Sequence, residues 1–200
     1  MSATVSIPVP AREAVPWAEV WPISVKRYHA MIEAGVLGPD DRVELLLGRL
    51  VEKMAKDPPH NTANRMIDFA LIRSVPEGWL VTNQNPLTMV DSEPEPDLMV
   101  VRGAVEDYSR RNPEPGDAQL VVEVADSSLG RDRGLKRRLY AAAGIPRYWI
   151  ANLVDDCIEE YSEPLDSDYT VRRDHRRGSG IPLVLDGRQV ASMPVDQLLP

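Results

Sequence analysis

The chain has 200 residues, of which 43% are hydrophobic and 27% are charged. This length and composition are typical of one globular domain with a buried core. No apolar run approaches the ~20 residues of a membrane-spanning helix, and the N-terminus shows no signal-peptide pattern. A single cysteine, Cys157, excludes an internal disulfide and a multi-cysteine metal site. We therefore expect a cytoplasmic protein without membrane contact.

The net charge of −8 argues against indiscriminate nucleic-acid binding. Such binding usually depends on a broadly basic surface. An enzyme that acts on nucleic acid is still compatible with this charge, because a cluster of metal-binding carboxylates itself adds negative charge.

The first segment, residues 1–22, carries four prolines and shows no clean periodicity, which predicts a loosely ordered arm. Residues 23–200 are predicted to form a single domain. Ser24 is a candidate cap for a helix that ends at Gly35. The following predicted elements are strands 42–47 and 50–53, loop 56–61, helix 64–74, and strands 79–83, 87–90 and 97–101.

The most apolar segment, residues 119–125, has the sequence QLVVEVA, which is typical of a central strand covered on both faces. A predicted helix follows and ends at Gly144, and residues 147–152 form a second apolar strand. Residues 119–152 therefore predict a βαβ unit. Three short antiparallel strands are predicted from Cys157 onward. The expected fold class is α/β (α+β), with a mixed central sheet flanked by helices and additional antiparallel strands at the C-terminus.

Glu123 lies inside this apolar segment, between Val122 and Val124. An ionised carboxylate without a partner in such a place costs on the order of several kcal/mol. A cation, a metal ion, a proton held by a raised pKa or a solvent-exposed strand end would each compensate it. At this point a structural pairing with an arginine is as good an explanation as a functional role.

Asp97 follows Pro96 at the start of a predicted strand. Glu93, Glu95 and Asp97 occupy alternate positions, so an extended chain would project the three carboxylates to one side. Taken alone, the pattern is better explained by solubilising residues on a proline-rich turn.

Lys136 lies on the helix that follows the Glu123 strand. Asp132 precedes it by four residues, so the two could form a surface ion pair worth a few tenths of a kcal/mol. The three histidines show no zinc-site spacing. His60 precedes a predicted helix and could approach a site, but we expect it to be a surface residue. The arginines of the helix could face a phosphate backbone or form a solvated face; they are Arg131, Arg133, Arg137 and Arg138.

In this order, the residues resemble the PD-(D/E)XK nuclease superfamily and, within it, the Uma-type family of restriction-endonuclease-like proteins. The resemblance covers roughly residues 20–165. The matching stretches are residues 43–45 (VEL) with Gly48 and 51–52 (VE), 95–98 (EPDL), 121–128 (VVEVADSS), Asp132 with Lys136, 139–140 (LY) with 143–146 (AGIP), and 148–150 (YWI).

The resemblance implies a divalent metal, Mg²⁺ or Mn²⁺, held by Glu44, Asp97 and Glu123. It implies that Asp97, Glu123 and Lys136 are catalytic. One position departs from the superfamily pattern, because the lysine expected two residues after the glutamate is replaced by Ala125. Lys136 can substitute only if its helix turns the ammonium back toward the strand end.

Two hypotheses follow. The first is a metal-dependent endonuclease that hydrolyses phosphodiester bonds in DNA, in which a homodimer would cut two strands and Trp17 and Trp21 are candidate interface residues. The second is a non-catalytic nucleic-acid-binding or protein-interaction module on the same fold, which the acidic charge balance and Ala125 favour.

Overall fold

The computed structural model describes residues 20–200, so most of the predicted arm at residues 1–22 lies outside the described residues. The helices and strands are, in chain order, α1 (Val25–Glu33), β1 (Val43–Leu46), β2 (Arg49–Glu52), α2 (Pro58–Ser74), β3 (Trp79–Asn83), β4 (Leu98–Arg102), β5 (Ala118–Ala125), α3 (Leu129–Arg131), α4 (Arg137–Ala142), β6 (Arg147–Asn152), β7 (Cys157–Leu165), β8 (Asp168–Arg176), β9 (Gly180–Leu185) and β10 (Arg188–Pro194).

Within the described residues, six strands form a mixed sheet in the order β3-β4-β5-β6-β7-β8. Only β5 and β6 are parallel, which confirms the predicted βαβ unit. Two further hairpins, β1–β2 and β9–β10, are antiparallel. The predicted α/β (α+β) fold class is therefore confirmed. No helix within residues 20–200 has the length and apolar content that crossing a membrane requires.

The side chains of β5 alternate between two apolar layers. Val122 and Val124 pack on one face with α2 and the β9–β10 hairpin. Val121 packs on the other face, where Tyr140 of α4 also lies. By the same alternation Glu123 projects to the second face, toward the helix that follows β5.

The predicted loop at residues 56–61 is wrong in its second half, because α2 already begins at Pro58. Asp57 caps this helix, and its side chain accepts a hydrogen bond from the His60 amide at 2.9 Å. Pro58 and Pro59 are tolerated here because the first helical residues have no intrahelical partner for an N–H group. His60 is therefore placed in the first turn of α2.

The predicted strand at residues 87–90 is also wrong. This segment has no regular secondary structure, although the Leu87 amide donates to the Pro94 carbonyl at 2.9 Å and the Met89 amide donates to the Ser92 carbonyl at 2.9 Å across a loop. Strand β10 has no counterpart among the predicted strands. Met193 is the one buried residue of this strand, so its sequence has no alternation of apolar and polar residues that would predict a strand.

The helix after β5 contains one π-helical turn, Asp132–Lys136, which joins α3 to α4 without a break. A π turn is wider than an α turn and is often found at functional sites. Both end residues of this turn, Asp132 and Lys136, are buried. The sequence predicted the helix but not the π turn.

Leu71→Ala is expected to lower the free energy of unfolding by about 2–5 kcal/mol, because truncation of a buried leucine leaves a cavity. Leu71 is 0% exposed on the inner side of α2, whereas the adjacent Ile72 is 55% exposed. Ile72→Ala is the matched control and should cost less than about 1 kcal/mol. Urea denaturation measures both changes, and equal losses would contradict this assignment of the inner face of α2.

Candidate active site

The site lies at the end of the sheet where β4 begins and β5 ends. The antiparallel register pairs Leu98 with Val122, so the preceding Asp97 lies beside Glu123. The amide of Val124 donates to Asp97 Oδ2 at 2.9 Å. This hydrogen bond holds the Asp97 carboxylate against β5.

Glu44 brings a third carboxylate to the same cleft from β1. Its Oε2 accepts a hydrogen bond from the Glu95 amide at 3.2 Å and lies 3.5 Å from Lys136 Nζ. Arg131 is more distant, with Nη1 at 3.9 Å from Glu44 Oε1. The structure thus brings all three predicted metal-binding carboxylates to one cleft.

Lys136 reaches back from the π turn to the end of β5. Its Nζ donates to Glu123 Oε1 at 2.9 Å, in a contact that is almost fully buried. The alternative of a surface ion pair with Asp132 is wrong, because both side chains are buried and Asp132 accepts a hydrogen bond from the Ser128 hydroxyl. Although Ala125 occupies the usual lysine position, an ammonium still lies beside Glu123.

Negative charge exceeds positive charge around Glu123. Burial raises the pKa of Glu123, and the neighbouring lysine only partly opposes this shift. Repulsion from Asp132, Asp97 and Glu44 raises the pKa of Glu123 further. Burial is also the main cause that raises the pKa of Asp132. For Lys136, burial acts to lower the pKa, but the surrounding carboxylates outweigh it and raise the pKa.

Two residues that the sequence analysis did not place in the site bind Asp97. Lys56 Nζ donates to Asp97 Oδ1 at 2.9 Å, and His60 Nε2 donates to Oδ2 at 3.2 Å. Burial opposes ionisation of Asp97, but the His60 hydrogen bond and the Lys56 charge outweigh it and lower the pKa of Asp97 to about 2. The expectation that His60 is a surface residue is wrong, since it is only 8% exposed. The signal for His60 was Asp57 before the two prolines, which marks a helix start.

The carboxylates at alternate positions before β4 do not share one side. Glu93 accepts hydrogen bonds from His29 and from the Thr88 hydroxyl, and it does not line the cleft among the described residues. Glu95 lines the cleft and pairs with Lys53 at 2.6 Å. The chain therefore turns between these two residues instead of running as an extended strand.

The cleft has a volume of roughly 90 Å³ and combines an acidic floor with a rim that carries both positive and negative side chains. The floor consists of the buried side chains that line the cleft, which are Glu44, Asp97, Glu123, Asp132 and Lys136. Lys53 and Lys56 approach the rim from the segment between β2 and α2, and Arg131 approaches from α3. The carboxylates of Asp57, Glu95 and Asp126 also lie at this rim, so the cleft offers oxygen ligands inside and charges of both signs at its entrance.

The chemistry of the floor fits a hard divalent cation, since Mg²⁺ and Mn²⁺ prefer carboxylate oxygens. In the part of the chain that the structure describes, no three or more His, Cys, Asp or Glu side chains are already grouped as metal ligands. Asp97 is instead engaged by Lys56 and His60, and Glu123 by Lys136. A cation that binds here would therefore have to displace these side chains or use carboxylate oxygens that they leave free.

Comparison with known proteins then identifies the family. The model of the Uma2 family, whose description is "putative restriction endonuclease", matches residues 25–194. This chain belongs to the Uma2 family. Membership supports a nuclease-type function, and the resemblance seen in the sequence is confirmed. No curated protein matches the chain.

The fold has a counterpart among solved structures. A crystal structure of a putative nuclease belonging to DUF820, from Anabaena variabilis ATCC 29413, is similar with a TM-score of 0.67 and 12% sequence identity. The match covers 88% of this Uma2-family chain and 97% of that chain. At this identity the similarity shows the fold alone, and it confirms the predicted restriction-endonuclease-like core.

Asp97→Asn is expected to make the free energy of unfolding less dependent on pH in the acidic range. The pKa of Asp97 is lowered from 3.8 to about 2, so its ionised form stabilises the folded state above about pH 4. This contribution, about 2 kcal/mol, is lost as the pH falls toward 2.

Urea denaturation at about pH 5 and about pH 2.5 measures this dependence. The stability difference between the native chain and Asp97→Asn should narrow at the lower pH. Glu77→Gln, which changes an exposed carboxylate on the turn before β3, is the control. A difference that stays constant or widens on acidification would refute the role of the Asp97 charge.

Proposed function

We propose that this protein is a metal-dependent endonuclease that hydrolyses phosphodiester bonds in DNA. The observation that carries the proposal is the convergence of three carboxylates and a buried lysine in one cleft of a Uma2-family chain. In this proposal, Glu44, Asp97 and Glu123 bind Mg²⁺ or Mn²⁺. Asp97, Glu123 and Lys136 are the catalytic residues.

The shortage of positive charge at the floor supports a cation site. Buried carboxylates are destabilising unless they are paired and hydrogen-bonded. Lys136 is the cation nearest to both Glu44 and Glu123, at 3.5 Å and 2.9 Å, so two buried carboxylates share one ammonium. A divalent ion would supply the missing charge. When bound, such an ion lowers the pKa of a water molecule and stabilises negative charge on a phosphate.

The cationic side chains have separate roles in this proposal. Lys136 Nζ lies at the floor, where it would stabilise the charge that develops on the phosphate during hydrolysis. Lys53, Lys56 and Arg131 at the rim would contact the phosphates on either side of the scissile one, because such contacts position a nucleic acid without reading its sequence.

The test combines calorimetry with a cleavage assay. Mn²⁺ is expected to bind the native chain and to fail to bind Asp97→Ala or Glu123→Ala, because each substitution removes a carboxylate ligand. Plasmid DNA should be cleaved only with Mg²⁺ or Mn²⁺. Lys136→Ala is expected to lower the cleavage rate by about 10²–10³-fold, which is typical for the loss of one charge-stabilising donor.

Asp186→Ala, which removes an exposed carboxylate paired with Arg102, is the control and should behave as the native chain does. The non-catalytic module predicts a different result: DNA binding without metal that weakens steeply with salt, and no cleavage with any divalent ion. Absence of Mn²⁺ binding by the native chain would reject the metal-dependent proposal.

We also propose a homodimer, in which two clefts would act on two strands. Trp21 is 76% exposed and is available for an interface, whereas Trp17 lies outside the described residues. Light scattering at micromolar concentration is expected to give twice the chain mass of 22.3 kDa. A mass equal to that of one chain would exclude the dimer under those conditions.

A further inference from the structure

The two oxygens of the Glu123 carboxylate have different surroundings. Oε1 accepts hydrogen bonds from Lys136 Nζ at 2.9 Å and from the Tyr140 hydroxyl at 2.7 Å. Within residues 20–200, Oε2 has no hydrogen-bond donor, and the Glu123 side chain keeps 5% of its surface exposed on the cleft that it lines. One oxygen is therefore anchored, and the other is free to bind a ligand in the cleft.

We propose that Tyr140 is a positioning residue for Glu123. Its hydroxyl, together with Lys136, holds Oε1 so that Oε2 is presented to a divalent cation in the cleft. This inference rests on the proposed function, in which Glu123 is a metal ligand. It adds that Glu123 would offer the cation its second oxygen, while the first stays with Lys136 and Tyr140.

The helix places both donors correctly for this role. Tyr140 follows Lys136 by four residues, which brings the two side chains to the same face of the helix. Both groups therefore reach the same carboxylate oxygen from the same direction. Their shared target leaves the opposite side of the carboxylate unobstructed.

The chemistry of a phenol also suits this position. A tyrosine hydroxyl is a neutral donor, so it orients the carboxylate without neutralising the charge that a metal ion needs. Donors to metal-binding side chains fix the ligand orientation, and their loss typically weakens metal binding by about 10–100-fold. Tyr140 is fully buried, and its ring lies 5.0 Å from that of Tyr148, so its hydroxyl is held in place by packing.

Tyr148 provides a matched comparison within the same aromatic cluster. It is as deeply buried as Tyr140, but its hydroxyl donates to the backbone carbonyl of Asp132 at 3.3 Å and not to a carboxylate of the cleft. Tyr140→Phe and Tyr148→Phe each remove one buried hydroxyl and keep the ring. Only the first removes a donor to Glu123.

The experiment is calorimetric titration of the full native chain and of both variants with Mn²⁺, well below the lowest Tm of the three proteins. The Kd of Tyr140→Phe for Mn²⁺ is expected to rise by roughly tenfold or more, and that of Tyr148→Phe should stay close to the native value. Thermal unfolding without metal shows whether each variant folds. A purely structural role of Tyr140 would lower the Tm and leave the Kd unchanged.

Three results would overturn the inference. Native-like Mn²⁺ affinity in Tyr140→Phe would show that the hydroxyl does not position the ligand. Equal weakening in both variants would assign the effect to the aromatic cluster in general. Absence of Mn²⁺ binding in the native chain would reject the proposed function itself. This outcome differs from the first two, because both of those require a native chain that binds Mn²⁺.

Discussion

The constraint on which the site depends is the burial of Glu123 inside the central strand. An ionised carboxylate there needs a cation within reach. The residues of β5 next to Glu123 are apolar and cannot supply one. The partner comes from the helix of the βαβ unit, because the parallel pairing of β5 and β6 requires a crossover that passes over the end of β5. The π turn in this crossover buries Lys136 at that end. The same crossover therefore connects the two parallel strands and supplies the ion-pair partner of Glu123.

The two sides of the cleft are compensated unequally. Asp97 has Lys56, His60 and a backbone amide as donors, and its pKa is lowered. Glu123 shares Lys136 with Glu44, and its pKa is raised. A cation entering the cleft would compete with a proton on the Glu123 side, whereas on the Asp97 side it would replace donors already present.

The sequence predicted those parts of the fold that local pattern controls. The apolar segment around Glu123 predicted a central strand. The convergence of Asp97, Glu123 and Lys136 was implied only by the family resemblance that their order carries. Lys56 and His60 were missed because two prolines were interpreted as a loop, although Asp57 caps a helix there. The absence of a strand at residues 87–90 and the presence of β10 and of the π turn were not predicted. Local sequence patterns do not report the tertiary contacts that decide such elements.

The acidic net charge and a nucleic-acid substrate are compatible for a reason of distance. The charge of −8 is spread over the whole chain, whereas ions screen interactions between exposed charges beyond about 8–10 Å at physiological salt. A phosphate at the cleft entrance would therefore respond mainly to the nearest charges, which are the cations of Lys53, Lys56 and Arg131 and the carboxylates of Asp57, Glu95 and Asp126. Recognition of this kind is local and short-ranged, and it gives little attraction to nucleic acid at a distance. In the proposed function, affinity would then depend on contacts formed inside the cleft, where a cation and Lys136 would both face one phosphate.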